Sequence, residues 1–184
     1  LLLEHVSLPA FTQTLDTVVT ANLLRPDLFA TRTFGCDDGE VISDLGLVIR
    51  PDARLDASAL HGLDLLVICG GFRTELKADD HLIQLLRSAA EQGVSLAGLW
   101  NGAWFLGRAG LLQGYRCAIH PEHRPALAEV SKATDVTKAA IELARGAAER
   151  GQAISDYVLA PGNAGVFVVG THDKSEWKAL NYLK

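Results

Sequence analysis

The residues able to do chemistry in this 184-residue chain gather at a few sites, and the most informative is Ala97-Gly98-Leu99-Trp100-Asn101-Gly102-Ala103. Its Gly-x-Trp-x-Gly frame follows a short apolar run and precedes a helix-like segment. That is the frame of a nucleophile elbow, in which a strained turn lifts one side chain above the end of a parallel sheet. The small flanking residues let strand and helix come close enough to make the turn. The tip is Trp100, whose indole has one N–H donor and no nucleophile. The backbone N–H groups of Asn101 and Gly102 would open the following helix, where an anion or carboxylate is favoured. The alternative is a glycine-rich turn with Trp100 and Trp104 packed in the core.

Other segments point toward the same edge. Cys69-Gly70-Gly71 ends the most apolar run, and paired glycines there allow a ligand close to the backbone and can supply oxyanion-type donors. Cys69 reads as a small buried apolar residue rather than a nucleophile. His120, before Pro121, can serve as a base, a ligand partner or a satisfied structural residue. Glu4 closes the first apolar run, as either a site carboxylate or a surface one. These residues define a candidate ligand-binding set of Glu4, Gly70, Gly71, Trp100, Asn101 and His120, with no catalytic residue, no metal ligand and no cofactor.

The elements that must position this set follow from periodicity. Leu1 to Leu3 predict a central strand, with Glu4 and His5 at the C-terminal end where open α/β sheets bind ligands. The start lacks an initiator Met and a basic n-region, and reads as the inside of a first strand of a trimmed protein, not as a signal peptide. Leu8, Phe11, Leu15 and Val18 predict a helix over 8–24, with Asn22 near its end as a capping or surface amide. Leu28 to Phe34 predict a second strand, Val41 to Ile49 a hairpin, and Asp56 to His61 a short helical connection. Asp64 to Cys69 predict a parallel strand covered on both faces. Asp79 or Asp80 caps a helix carrying Leu82, Ile83, Leu85, Leu86 and Ala89, and Gly93 stops it. After the elbow helix, closed by Gly110, Tyr115 to Ile119 predict another strand. Thr137 to Arg150 and Asp173 to Leu183 read as helices, 160–163 as a loop, and Gly165 to Gly170 as a final strand. The alternation predicts an α/β fold: a doubly wound, mainly parallel sheet sandwiched between helices. Residues 1–184 are expected to form one domain.

Composition bounds the function. Hydrophobic residues make up 48% and charged residues 21%, which supports a packed core. A net charge of −5 argues against nonspecific binding of phosphate backbones by this chain. The three cysteines form neither a metal pattern nor a disulfide framework, which suits a reducing, cytoplasmic setting. No apolar run approaches the roughly 20 residues that span a bilayer, so no membrane partner is expected.

Together these motifs resemble the DJ-1/PfpI branch of the class I glutamine-amidotransferase-like superfamily. The resemblance is carried by Ile68-Cys69-Gly70-Gly71, by the elbow Ala97 to Ala103, by the turn Gly110-Leu111-Leu112-Gln113-Gly114, and by His120. It covers about residues 1–135, and 136–184 match no named pattern. Leu1 to Leu3, followed by a helix ending near Ala21-Asn22, is similar to the amidase-like N-terminal domains of AraC-type (GlxA-like) transcription regulators. The resemblance implies a flavodoxin-like fold and a noncatalytic domain that senses a small nitrogen-containing metabolite and supports a homodimer. DNA would be met only through a helix-turn-helix part absent from this chain, which has no basic recognition helix. The family's nucleophile position holds Trp100, so its hydrolase or glyoxalase activities do not carry over. One alternative is such an enzyme using a displaced nucleophile, with Cys69 and Cys117 the nearby thiols. Another is a purely structural dimerisation module with a closed cleft.

Overall fold

A computed structural model of the chain describes residues 1–113, 116–119, 121–131 and 135–137. The sheet is assembled around the first three residues. Leu2 bridges Cys69 in parallel, Leu3 N–H donates to the Cys69 carbonyl at 3.0 Å, and Cys69 N–H donates to Leu1 at 2.8 Å. On the other side Leu2 N–H donates to Phe34 at 2.7 Å. The opening segment is therefore central, between β1 (Phe34–Gly35) and β5 (Leu65–Cys69). Beyond β5 lies β6 (Ser95–Leu99), parallel and in register from Leu65↔Ser95 to Cys69↔Leu99. Beyond β1 lies β4 (Ala53–Arg54), also parallel. A small antiparallel hairpin, β2 (Val41–Ile42) and β3 (Val48–Ile49), leaves the sheet plane.

Side-chain alternation explains why helices cover both faces. Leu1, Leu3, Leu66, Ile68 and Leu96 enter one core, with Leu86 of α2 (Asp80–Glu91) and Phe105 of α3 (Gly102–Arg108). Leu2, Cys69 and Leu99 enter the other, with Ala10 and Phe11 of α1 (Leu8–Leu24). Successive strand residues point to opposite faces, so an unbroken apolar run demands two helical layers. This is the doubly wound, flavodoxin-like arrangement expected from the sequence.

Several local expectations hold to the residue. The first helix spans Leu8–Leu24, starting with Ser7 as N-cap and Pro9 in its first turn. Asp79 is the N-cap of α2, its Oδ1 accepting from Leu82 N–H at 2.7 Å. All five expected apolar positions of α2 are buried. Gly93, at φ 81°, ends the segment, as a left-handed residue after a helix should. The connection after residue 56 is a single 3-10 turn, Ser58–Leu60.

The expected strand over Leu28 to Phe34 is a correction. Only Phe34–Gly35 pair with the sheet, while Leu28 and Phe29 are exposed. Asn22 is the reason. Its side chain donates to the Phe29 carbonyl at 2.8 Å and accepts from Phe29 N–H at 2.9 Å, tying the segment back to α1 instead of to a strand neighbour. The strand expected over Tyr115 to Ile119 is β7 (Arg116–Ala118), paired in parallel with β8 (Asp135–Thr137). Between them α4 (Arg124–Val130) packs Leu127 against Gly107 of α3. The elements expected beyond Thr137 lie outside the described residues.

Because Asp79 supplies the only side-chain cap at the start of α2, Asp79→Ala should lower stability by about 0.5–2 kcal/mol. Asp80→Ala, in the first turn without a cap bond, should cost markedly less. Urea unfolding of both variants checks the difference.

Candidate functional site

The elbow is built as its glycines require. Trp100 has φ 58°, in the left-handed region that a bulky residue rarely occupies. Gly98 lies so close to the first turn of α3 that a Cβ there would sit 2.5 Å from Ala103 N. The strand-to-helix turn therefore exists with its strain intact, while its tip carries an indole.

That indole is packed in the core, the alternative that the residue order left open. Trp100 is 3% exposed and packs with Leu2, Val6, Phe11 and Val41 in the core beneath α1. Phe72, 52% exposed, stands edge-on to it with ring centroids 6.5 Å apart. On its other side Phe72 meets His123 at 6.4 Å. Among the described residues, Phe72 is therefore the exposed ring of this edge, and Trp100 is buried against it. Large apolar rings prefer such burial, and edge-on aromatic pairs at this spacing are favourable.

Gly70 and Gly71 also have a different role from the expected one. Gly71 N–H donates to Thr74 Oγ1 at 2.9 Å, and Gly70 N–H to the Leu99 carbonyl at 3.3 Å. Both donors are committed inside the chain and do not form an oxyanion hole here. What the glycines supply is proximity. A Cβ on Gly70 would overlap the Asn101 side-chain oxygen, and one on Gly71 would overlap the His5 carbonyl and lie 2.6 Å from Ser7 N. Asn101 is fully buried and donates Nδ2 to the Thr74 carbonyl at 3.1 Å.

Thr74 is the residue that the sequence reading missed. Its hydroxyl accepts from Gly71 N–H and donates to the Glu4 carbonyl at 2.8 Å, while its own carbonyl holds Asn101. One buried threonine thereby joins the ends of the first segment, β5 and β6. Nothing in its local sequence marks it, since Thr-Glu-Leu reads as an ordinary loop. Glu4 is at the expected edge, and its carboxylate accepts a long bond from Ile42 N–H at 3.4 Å, toward the hairpin. Arg73 turns its guanidinium to the Asp44 carbonyl. His120 lies outside the described residues.

Cys69 is buried, and burial pushes its thiol pKa up, opposite to what a thiolate nucleophile needs. Its Sγ faces the Val67 carbonyl at 3.9 Å. Among the described residues no group of three His, Cys, Asp or Glu is placed to hold a metal. A cavity of about 140 Å³ between Cys36, Leu55 and the start of α2 contains none of the elbow residues.

Three comparisons bear on this geometry. The model of the DJ-1/PfpI family matches residues 6–154. Among curated relatives, the HTH-type transcriptional regulator GbdR of Pseudomonas aeruginosa is 32% identical over 130 residues, 70% of this chain and 35% of the relative. The HTH-type transcriptional regulator CdhR of the same organism is 31% identical over 143 residues, 78% of this chain and 42% of the relative. The chain thus matches well under half the length of these regulators. Among solved structures, an AraC family transcriptional regulator from Pseudomonas putida is 53% identical, with a TM-score of 0.71 over 75% of this chain and 74% of that one.

Thr74→Val removes the hydroxyl while keeping the shape, leaving Gly71 N–H buried and unpaired. The expected loss is about 1–3 kcal/mol in urea unfolding, with Thr74→Ser largely retaining stability.

Proposed function

This chain belongs to the DJ-1/PfpI family, and from that premise we propose that it is the noncatalytic sensing domain of an AraC-type transcription regulator. The observation that carries the reading is Trp100. The elbow keeps its left-handed tip, yet the side chain there is an indole buried in the core. Covalent catalysis in such a turn requires an activated nucleophile at that tip. GbdR and CdhR, and the solved AraC family regulator from Pseudomonas putida, are transcription regulators similar to this chain, which supports a regulatory role.

In this reading, residues 1–184 form one domain that binds a small nitrogen-containing metabolite, such as an amino acid or a betaine, at the C-terminal edge of the sheet. The ligand-binding set remains Glu4, Gly70, Gly71, Trp100, Asn101 and His120, with the two glycines acting through proximity and Trp100 as the packed floor. Phe72 adds an exposed aromatic face, on which a cationic nitrogen is stabilised. The domain pairs as a homodimer, because paired DNA half-sites call for paired subunits. DNA is contacted through a helix-turn-helix segment of the regulator outside this chain, in the cytoplasm. No helix among the described residues is long and apolar enough to cross a membrane.

The competing enzyme reading needs a displaced thiol. Cys69 is poorly suited to that role, being buried with a raised pKa. Cys117 belongs to β7, not to the elbow.

Assays with methylglyoxal and with chromogenic amides should show no turnover above background. Turnover abolished by Cys69→Ala or Cys117→Ala would overturn the sensor reading. Sedimentation at tens of micromolar protein should show a dimer, and a strictly monomeric chain would count against the regulator assignment.

A further inference from the structure

Trp100 has a counterpart across the Gly70-Gly71 turn. His5 also has a left-handed backbone, with φ 59°. Val6 N–H donates to the Leu3 carbonyl at 3.0 Å, closing a four-residue turn in which His5 holds the third position. With positive φ, that position favours glycine. The surroundings impose the conformation. His5 N–H donates to the Ile42 carbonyl at 2.8 Å, the Glu4 carbonyl is held by Thr74, and the His5 carbonyl rests against Gly71.

The imidazole contributes nothing visible to this arrangement. His5 Nδ1 is covered by the chain and has no hydrogen-bond partner among the described residues. The ring is half-buried, so its open edge is the one carrying Nε2. A buried N–H with no acceptor is more costly than a bare ring nitrogen, which puts the proton on Nε2. The result is an outward N–H donor at the end of the central segment, on the residue whose carbonyl lies against Gly71. A residue with a left-handed backbone, whose Nδ1 has no partner among the described residues, stands at a position that glycine would fill without strain. Strain of this kind concentrates where a ligand is held.

We propose that His5 is a ligand-contacting residue of the site, whose Nε2–H donates to the carboxylate of the sensed metabolite. This rests on the sensor reading above and extends it in two ways. It adds a residue outside the original set, and it names the carboxylate of such an amino acid or betaine as the group that this residue meets. Of the neighbouring charged groups, the Glu4 carboxylate accepts from the hairpin N–H of Ile42 and Arg73 donates to the Asp44 carbonyl.

The test uses the 184-residue chain and His5→Gly, with the twenty L-amino acids and glycine betaine as carboxylate probes and choline as the carboxylate-free probe. Calorimetric titration and thermal unfolding are read together. We expect His5→Gly to raise Tm by about 2–4 °C, as relief of one strained residue should in a domain of this size. It should weaken the carboxylate probe bound by the wild type by ten-fold or more, and choline should bind neither protein. A higher Tm with unchanged affinity overturns the role of His5 and leaves the sensor reading standing. A lower Tm shows that the imidazole supports the fold, and also overturns it. Tight choline binding removes the carboxylate requirement and the proposal with it. A wild type that binds none of these probes overturns the sensor reading for amino-acid-like metabolites, and the role of His5 falls with it.

Discussion

Where β6 becomes α3, the backbone of Gly98 lies against that of Ala103 with no room for a Cβ between them. The rest of the site depends on this contact. It forces the turn to be tight, which drives Trp100 into the left-handed region and aims its ring at the core beneath α1. It also starts α3 low enough for Asn101 to lie against Gly70 and reach the Thr74 carbonyl. A larger residue at position 98 would push the helix outward and release each of these contacts in turn.

The elbow of this protein carries its tip residue in the core. In a nucleophile elbow the strained tip exposes a reactive atom. Here the strain is held by the same close approach, but the tip residue is buried. The indole packs with residues of the first segment, α1 and the hairpin, so the tip is part of the second hydrophobic core. Burial of a large aromatic ring offsets the cost of its backbone conformation. The polar character of the edge then falls to the residues around it: Glu4, His5 and Thr74, with Phe72 as the exposed ring.

Thr74 shows how such an edge is held without a regular element. Strand ends leave carbonyls and N–H groups unpaired, and buried ones must find partners. The Glu4 carbonyl and the Gly71 N–H meet at a single hydroxyl, which can donate and accept at once. This closes the loop after β5 over the Gly-Gly turn and fixes Phe72 between Trp100 and His123.

Much of this was legible in the residue order because it rests on local physics. The bounds of α1, the Asp79 cap, the five buried positions of α2 and the glycine stop at 93 follow from helix periodicity and capping, which neighbours in sequence decide. The unbroken apolar runs at 1–3 and 65–69 implied a sheet covered on both faces, and the family motif located the elbow. The tertiary structure decided what depended on distant partners. Leu28 to Phe34 have strand-like residues, yet Asn22 ties Phe29 back to α1 and only Phe34 of that stretch, with Gly35 after it, joins the sheet. Gly70 and Gly71 have the composition of a donor pair, yet Leu99 and Thr74 already occupy their N–H groups. The sequence marked Trp100 as a tip but not whether its ring faced solvent or core. That depended on residues from α1 and the hairpin, whose approach no local spacing encodes.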